Sequence, residues 1–230
     1  MRNITDDMVF IHAGTFKMGC DGFGHQHGAP AHLVYLDPYM IDKFEVTNQR
    51  YEEIFSEHRL RRSPFSHCDN CPVSRISWYE AADYCHLIGK SLPSEAQWEK
   101  AASNGNGCDF PWGSEFDPSQ PQARGHLKLR DKSAPVGSYP PNQYGIYDLA
   151  GNMWEWVSDW FSLSYYFQDI MYNPRGPSRG IMKVRRGGSW SDSVKAMASG
   201  YRDWSYPFSR GFNDIGFRCA INLKIRVKSP

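Results

Sequence analysis

From Gly105 to Pro141 the chain is dominated by Gly, Pro, Ser and Asp, and this stretch sits in the middle of a sequence of 230 residues. Proline removes a backbone donor and glycine weakens helix and strand alike, so the segment predicts long loops with little regular structure. Such a stretch is a binding surface, a metal-ordered surface or plain loop. A loop-rich chain has few regular elements and must fill its interior with large side chains. The 8 Trp, 13 Tyr and 13 Phe supply them and read mostly as core. At this length one domain over 1–230 can bury a substantial core. The 26 Lys and Arg nearly balance the 25 Asp and Glu. That balance gives no basic footprint for nucleic acid and no acidic tail for a charge-driven partner.

Regular elements are legible on either side of the loops. Moderate alternation from Met8 to Met18 predicts one strand. Thr47 caps a helix whose Tyr51, Ile54 and Phe55 share a face, and His58 to Pro64 breaks it into a loop. Ser77-Trp78-Tyr79-Glu80 forms a capping box for a second helix that Gly89 stops. Ser94 and Gln97 open a third in the same way, which runs out before Gly105. Val184 to Trp190 and Gly216 to Ile221 read as core strands, with a polar loop at Tyr201 to Gly211 between them. No apolar run approaches the length of a membrane span. The polar stretch Met1 to Asp7 shows no leader, so the chain reads as cytoplasmic, or as exported if a signal peptide has been removed.

Short motifs recur along nearly the whole sequence. They run from Gly14-Thr15-Phe16-Lys17-Met18-Gly19 through Phe44-Glu45-Val46-Thr47-Asn48, Ser77-Trp78-Tyr79-Glu80-Ala81 and Leu92-Pro93-Ser94-Glu95-Ala96-Gln97-Trp98-Glu99. Pro135-Val136-Gly137-Ser138, Asp148-Leu149-Ala150-Gly151-Asn152-Met153-Trp154-Glu155-Trp156, Arg186-Gly187-Gly188-Ser189-Trp190 and Gly216-Phe217-Arg218-Cys219 follow. In order and spacing the chain resembles the formylglycine-generating enzyme, or sulfatase-modifying factor, family. The resemblance implies an α+β, irregular C-type-lectin-like fold with little regular secondary structure.

The resemblance also implies chemistry that this chain departs from. In copper-dependent members, two cysteines beyond the Gly-Gly-Ser segment bind Cu(I), a soft ion suited to thiolates. The matching positions here are Asp192 and Met197, so copper and formylglycine generation are not expected, and Met197 reads as core. The three-histidine iron branch needs a further helical domain with a His-x-x-x-His-x-Glu pattern, which is absent. His25 and His27 lie in a Gly-rich loop, a pair able to bind a metal but of a kind that is usually just solvated. The best retained site is a structural calcium site, with the side chains of Asp148 and Glu155 and the carbonyls of Gly151 and Met153 as its ligands. Carboxylate and carbonyl oxygens at a sharp turn suit a hard cation. The plain alternative is that Asp148 and Glu155 cap turns. A second family calcium site reads as lost, with Arg124 near its asparagine.

Cys68-Asp69-Asn70-Cys71 is compatible with a disulfide, with a zinc site or with a redox dithiol, a structural role ranking above redox catalysis without a thioredoxin-like context. Zinc would need partners such as His67, Cys85, His86 or Cys108. Three functions follow. One is a non-catalytic accessory subunit or maturation factor that binds a protein partner through Tyr201, Arg202, Trp204, Tyr206, Phe208 and Arg210, since aromatics and Arg anchor binding hot spots. Another is a copper-independent enzyme acting on a peptide or small molecule, with Asp192, Tyr201, Arg202 and Asp203 as acid/base and orienting candidates. The third is a lectin-like ligand-display receptor.

Overall fold

The computed structural model describes residues 4–22, 27–103, 110–114, 131–168 and 170–223. Strands β1 (Met8–Ile11), β4 (Tyr39–Asp42) and β9 (Ala220–Asn222) form one antiparallel sheet in the order β1-β4-β9. A second pairs β2 (Gly14–Met18) with β3 (His32–Leu36). The third has the order β7-β6-β5-β8, from β5 (Trp154–Trp160), β6 (Lys183–Arg186), β7 (Asp203–Ser205) and β8 (Ile215–Gly216), with β8 parallel to β5. Helices α1 (Asn48–Glu52), α2 (Trp78–Leu87) and α3 (Glu95–Ala102) complete a mixed α+β arrangement.

The caps read from sequence stand where expected. Thr47 Oγ1 accepts from Arg50 N, and both capping boxes, Ser77 with Glu80 and Ser94 with Gln97, are formed. Gly89 takes a φ of 74° just past α2, the left-handed geometry that ends a helix. Three expectations are corrected. The strand expected over Met8–Met18 splits between two sheets, since Ile11 pairs with Tyr39 while Gly14 pairs with Leu36. Lys100 Nζ donates to the carbonyls of His12 and Gly14 at 2.9 and 2.8 Å, occupying acceptors at the break. Helix α1 ends before Ile54, which is exposed, and Ser56–Arg61 form a 3₁₀ turn with His58 buried inside it. The strands expected at Val184–Trp190 and Gly216–Ile221 are interrupted too: Gly187 and Gly188 turn the first, and Phe217-Arg218-Cys219 carries the second from one sheet to another.

Two apolar clusters hold these layers together. One gathers Ile11, Val34, Ile41, Trp98, Ala101, Val157 and Val184 around α3. The other gathers Tyr51, Val73, Tyr84, Trp156, Ile215 and Phe217 around α2. The expectation that aromatic residues fill the interior holds for Trp98, Trp154 and Trp156, each 1% exposed or less. Cys85 and Cys219, both fully buried, form a disulfide that ties α2 to the entry of β9. Cys68 is bonded to Cys71, and Cys20 too is disulfide-bonded. These bonds leave no thiolate for the zinc grouping of Cys68, Cys71 and Cys85; Cys108, His25 and Arg124 lie outside the described residues.

The Cys85–Cys219 bond spans a separation of 134 residues, for which loop-closure entropy gives about 5 kcal/mol. A Cys85→Ser/Cys219→Ser variant should therefore show a much lower urea midpoint. A loss under about 1 kcal/mol would contradict this role.

Candidate functional site

Strand β6 ends on Arg186, a fully buried residue whose guanidinium turns toward α3. There Arg186 Nη1 donates to Glu95 Oε1 at 2.9 Å and Nη2 donates to Glu99. Sixteen positions further along the chain, Arg202 grips the same carboxylate with both faces of its fork: Nε to Oε1 at 2.6 Å and Nη2 to Oε2 at 2.8 Å. Both ends of the 186–202 loop are thus clamped to Glu95. Burial pushes the Glu95 carboxyl up, yet Arg202 and Arg186 together outweigh burial and hold it below the usual carboxylate range. The turn out of β6 needs glycine. At Gly187 and Gly188 φ is 96° and 68°, and a Cβ at Gly188 would meet Ala196 backbone at 3.0 Å.

Within this loop the two positions matched to copper ligands hold a hydrogen-bonded carboxylate and a core thioether. Asp192 Oδ2 accepts from Trp154 Nε1 at 2.8 Å and from Ser189 through both its N–H, at 3.2 Å, and its hydroxyl. Met197 is fully buried against Phe110, Ala150, Val194 and Ala198, as its core reading requires. Among the described residues no cysteine is free. One hydrogen-bonded carboxylate and one sealed thioether do not fit a Cu(I) dithiolate.

A residue that sequence reasoning missed completes the cluster. Asp214 lies within 3.4 Å of the Ser189 hydroxyl and 3.3 Å of the Ser191 hydroxyl, so the two serines link it to Asp192. Burial raises its carboxyl, and the neighbouring Asp192 adds to that against the pull of Arg185. Arg185 stacks on the Trp154 ring at 4.4 Å and binds Asp203 at 2.7 Å, while Tyr201 packs against the same ring. Asp192, Tyr201 and Asp203 therefore gather around Trp154. Arg202 does not: it is fully buried in the Glu95 clamp, which corrects its placement both as an orienting residue and as a surface anchor. Asp214 sits two residues before the Gly216-Phe217-Arg218-Cys219 motif, and nothing in the local sequence marks it.

The expected calcium segment forms a second acidic centre. Asp148 and Asn152 take positive φ on either side of Gly151, so the turn is as sharp as its sequence implies. Asp148 Oδ2 accepts from Gly137 N at 2.6 Å, whereas Oδ1 is buried without a partner. Burial pushes the Asp148 carboxyl up to about 6. Glu155 is engaged differently. Its Oε1 accepts from Arg218 Nη2 at 2.6 Å, and its Oε2 from Arg218 Nε at 2.7 Å and Trp98 Nε1 at 2.8 Å. Its charge is met by the Arg218 guanidinium. Glu45, also missed, stands close by; it accepts from Asn152 Nδ2 and Met153 N. Burial, then Asp148 and Glu155, drive its carboxyl far above its usual range. Three buried acids thus face one arginine, and the unpartnered Asp148 oxygen marks where a proton or a hard cation fits. Among the described residues no three His, Cys, Asp or Glu side chains are grouped to hold a metal by themselves, so main-chain carbonyls would have to supply the remainder.

The aromatic segment expected as a polar loop is part strand, since Asp203–Ser205 pair with Lys183–Arg185 as β7 and β6. Beyond it the chain is pinned to α2, with Trp78 N donating to Pro207 O at 3.0 Å. Phe208, 76% exposed, lies over Tyr79, which meets Trp78, which stacks on Trp160. Lys183 Nζ sits 3.8 and 3.9 Å from the Trp78 and Trp160 ring centres, and burial lowers its ammonium to about 8. Tyr206 is 56% exposed and edges Trp204, and Arg210 reaches back to Glu80 at 2.9 Å. The result is an exposed aromatic ledge on a rigid base.

A mixed α+β scaffold of short strands, carrying a clamped loop after a Gly-Gly turn and a buried acidic turn ahead of β5, defines a class of irregular, loop-built domains. The chain matches the sulfatase-modifying factor enzyme 1-like domain over residues 1–223 and belongs to that family. It is 33% identical to the formylglycine-generating enzyme of Streptomyces coelicolor over 286 aligned residues, covering 94% of this chain and 89% of that protein. It is equally 33% identical, over 95% of its length, to a serine/threonine-protein kinase Pkn1 of Chlamydia trachomatis, of which it spans only 38%. PvdO from Pseudomonas aeruginosa has the same fold, with a TM-score of 0.79 and 25% identity over 96% of this chain and 97% of that one. The expected family and its α+β fold therefore stand.

Removing one partner of the Glu95 clamp leaves a buried charge exposed to no solvent. Arg202→Ala should cost about 3–5 kcal/mol in chemical unfolding; a loss under about 0.5 kcal/mol would place Arg202 on the surface after all.

Proposed function

We propose that this chain is a non-catalytic member of its family, an accessory subunit or maturation factor that holds a protein partner on the aromatic ledge. The observation that carries the reading is the replacement of a thiolate pair by Asp192, whose Oδ2 accepts from Trp154 and Ser189, and Met197, sealed in the core. The ledge exposes Phe208 and Tyr206, aromatic side chains of the kind that dominate binding energy. Native affinity purification of the wild type beside a Tyr206→Ser/Phe208→Ser variant tests this. We expect a stoichiometric protein partner that the variant loses at an unchanged melting temperature. A partner retained by the variant, or none with the wild type, contradicts it.

One observation favours a second reading, a copper-independent enzyme acting on a peptide or small molecule. The serine-linked pair of Asp192 and Asp214 beside Tyr201 and Arg185 offers a carboxyl that burial raises above its ordinary range, the direction a general acid needs. Structural calcium at Asp148, with the carbonyls of Gly151 and Met153, belongs to either reading; bound there it would neutralise excess negative charge and tie the turn. The disulfides favour the exported alternative over a cytoplasmic address. Among the described residues no helix is long and apolar enough to cross a membrane.

A proton and a cation at Asp148 are distinguishable by pH. Its folded pKa of about 6 exceeds the ordinary 3.8, so its contribution to stability is full below about pH 4 and is lost as pH rises through about 6. In EDTA, Asp148→Asn should therefore gain on the wild type between pH 4 and pH 7. With millimolar calcium at pH 7 the order should reverse, because only the wild type binds the ion. A wild-type melting temperature indifferent to calcium would remove calcium from the account.

A further inference from the structure

The Cys68–Cys71 disulfide differs from the Cys85–Cys219 one in nearly every respect that governs reactivity. Cys85 and Cys219 are fully buried, whereas Cys68 is exposed and Cys71 lies beneath it, 7% exposed, with their Cα atoms 5.0 Å apart. One residue of the pair is thus open to solvent while the other is shielded.

The turn that carries the pair does not depend on the disulfide for its shape. Asn48, fully buried, donates from its side chain to the carbonyls of Ser66 and Cys68 at 2.8 and 2.9 Å, and from its backbone to Cys71 O at 2.9 Å. Gln49 N donates to Asp69 O, Cys71 N to Cys68 O and Val136 N to Asn70 O. Arg62, itself held by Glu52, binds the Asp69 carboxylate at 2.8 Å. Every residue of the turn is therefore fixed by a contact that survives opening of the S–S bond. Such a turn can pass between its oxidised and reduced forms without unfolding, which a bond serving only as a staple does not require.

An arginine is fixed at the turn. Arg62 above all holds the Asp69 carboxyl, next to Cys68 in the chain, below its usual range, and so a guanidinium stands at the turn. Positive charge of this kind stabilises the thiolate that attacks or leaves in exchange. Beside Asn70 opens a polar recess of about 380 Å³ lined by Asp7, Phe44, Gln49, Arg50 and Val136, a place for the backbone of an incoming polypeptide.

We infer that Cys68 and Cys71 form a thiol–disulfide exchange site whose substrate is a pair of thiols on another polypeptide. A thiolate of that polypeptide attacks Cys68 Sγ; the Cys68–Cys71 bond breaks, and Cys71 leaves as a thiolate. The polypeptide's second thiolate then attacks its own sulfur in the mixed disulfide, and Cys68 leaves in turn. Two electrons pass from the polypeptide dithiol to the Cys68–Cys71 pair, and the two protons shed by its thiols are taken up by the two cysteine thiolates. The inference stands independently of the ledge and of the Asp192 cluster.

The full chain is incubated in glutathione redox buffers or with a synthetic two-cysteine peptide, quenched with acid, alkylated and mapped by mass spectrometry. Cys68 and Cys71 should become alkylated while Cys85 and Cys219 stay bonded. A Cys71→Ser variant should trap glutathione and the peptide on Cys68 at least about tenfold faster than an unfolded peptide of the same local sequence. Equal resistance of the two disulfides, or a Cys68 no faster than the free peptide, overturns the proposal. A Cys68→Ser/Cys71→Ser variant should keep its circular dichroism spectrum and lose less melting temperature than Cys85→Ser/Cys219→Ser. Collapse of its fold would make the bond a staple and likewise overturn it.

Discussion

The arrangement of the candidate site rests on one carboxylate. Glu95, at the first turn of α3, receives Arg186 from the end of β6 and Arg202 from the return of the loop, all three essentially out of solvent. The charges cannot be separated without leaving one of them unpaired in a low-dielectric interior, a loss far larger than that of any surface ion pair. The loop is short of backbone ladders, so this clamp and the Gly187-Gly188 turn fix where Asp192, Met197 and Tyr201 stand. Arg218 plays the matching part for the acidic turn. It binds Glu155 and also donates to the carbonyls of Asp42, Lys43 and Tyr147, drawing together the ends of three segments. Buried arginines here do work that regular secondary structure does in more repetitive folds.

That principle explains what the sequence discloses and what it hides. Local rules are readable because their causes are local: Thr47, Ser77 and Ser94 cap the helices their spacing implies, and Gly89 stops α2. Met197 reads as core from its apolar neighbours and is core. Strand continuity is less readable. A ladder ends where another segment takes its acceptors, as Lys100 does at His12 and Gly14, and nothing near residue 12 announces a lysine from α3. Arg202 is misplaced for the same reason. Amid Tyr201, Asp203 and Trp204 it looks like a surface anchor, and only the position of Glu95, far away in sequence, turns it inward. Asp214 and Glu45 become members of acidic clusters through partners distant in sequence, so composition gives no hint of them.

The two acidic centres answer differently to the same physics. At Glu155 the charge is matched by a bidentate arginine, the pairing that best offsets desolvation. At Asp148 one oxygen is left over, and at Asp214 the nearest partners are hydroxyls, so both carboxyls are raised by burial. In this loop a hydrogen-bonded carboxylate and a sealed thioether stand between the two clamped ends. The exposed aromatics then carry the weight of the functional reading. They are seated on Trp78, Trp160 and Lys183, which pack against one another beneath them.

Titration of the purified, oxidised chain with Cu(I) against a chromogenic chelator tests the central claim most directly, because it asks the loop itself whether a thiolate site survives. The account predicts that the chelator keeps the metal and the chain retains none. One equivalent of Cu(I) held by the folded chain, and released when Asp192 or Met197 is substituted, would contradict it and return the protein to the copper-dependent enzymes of its family.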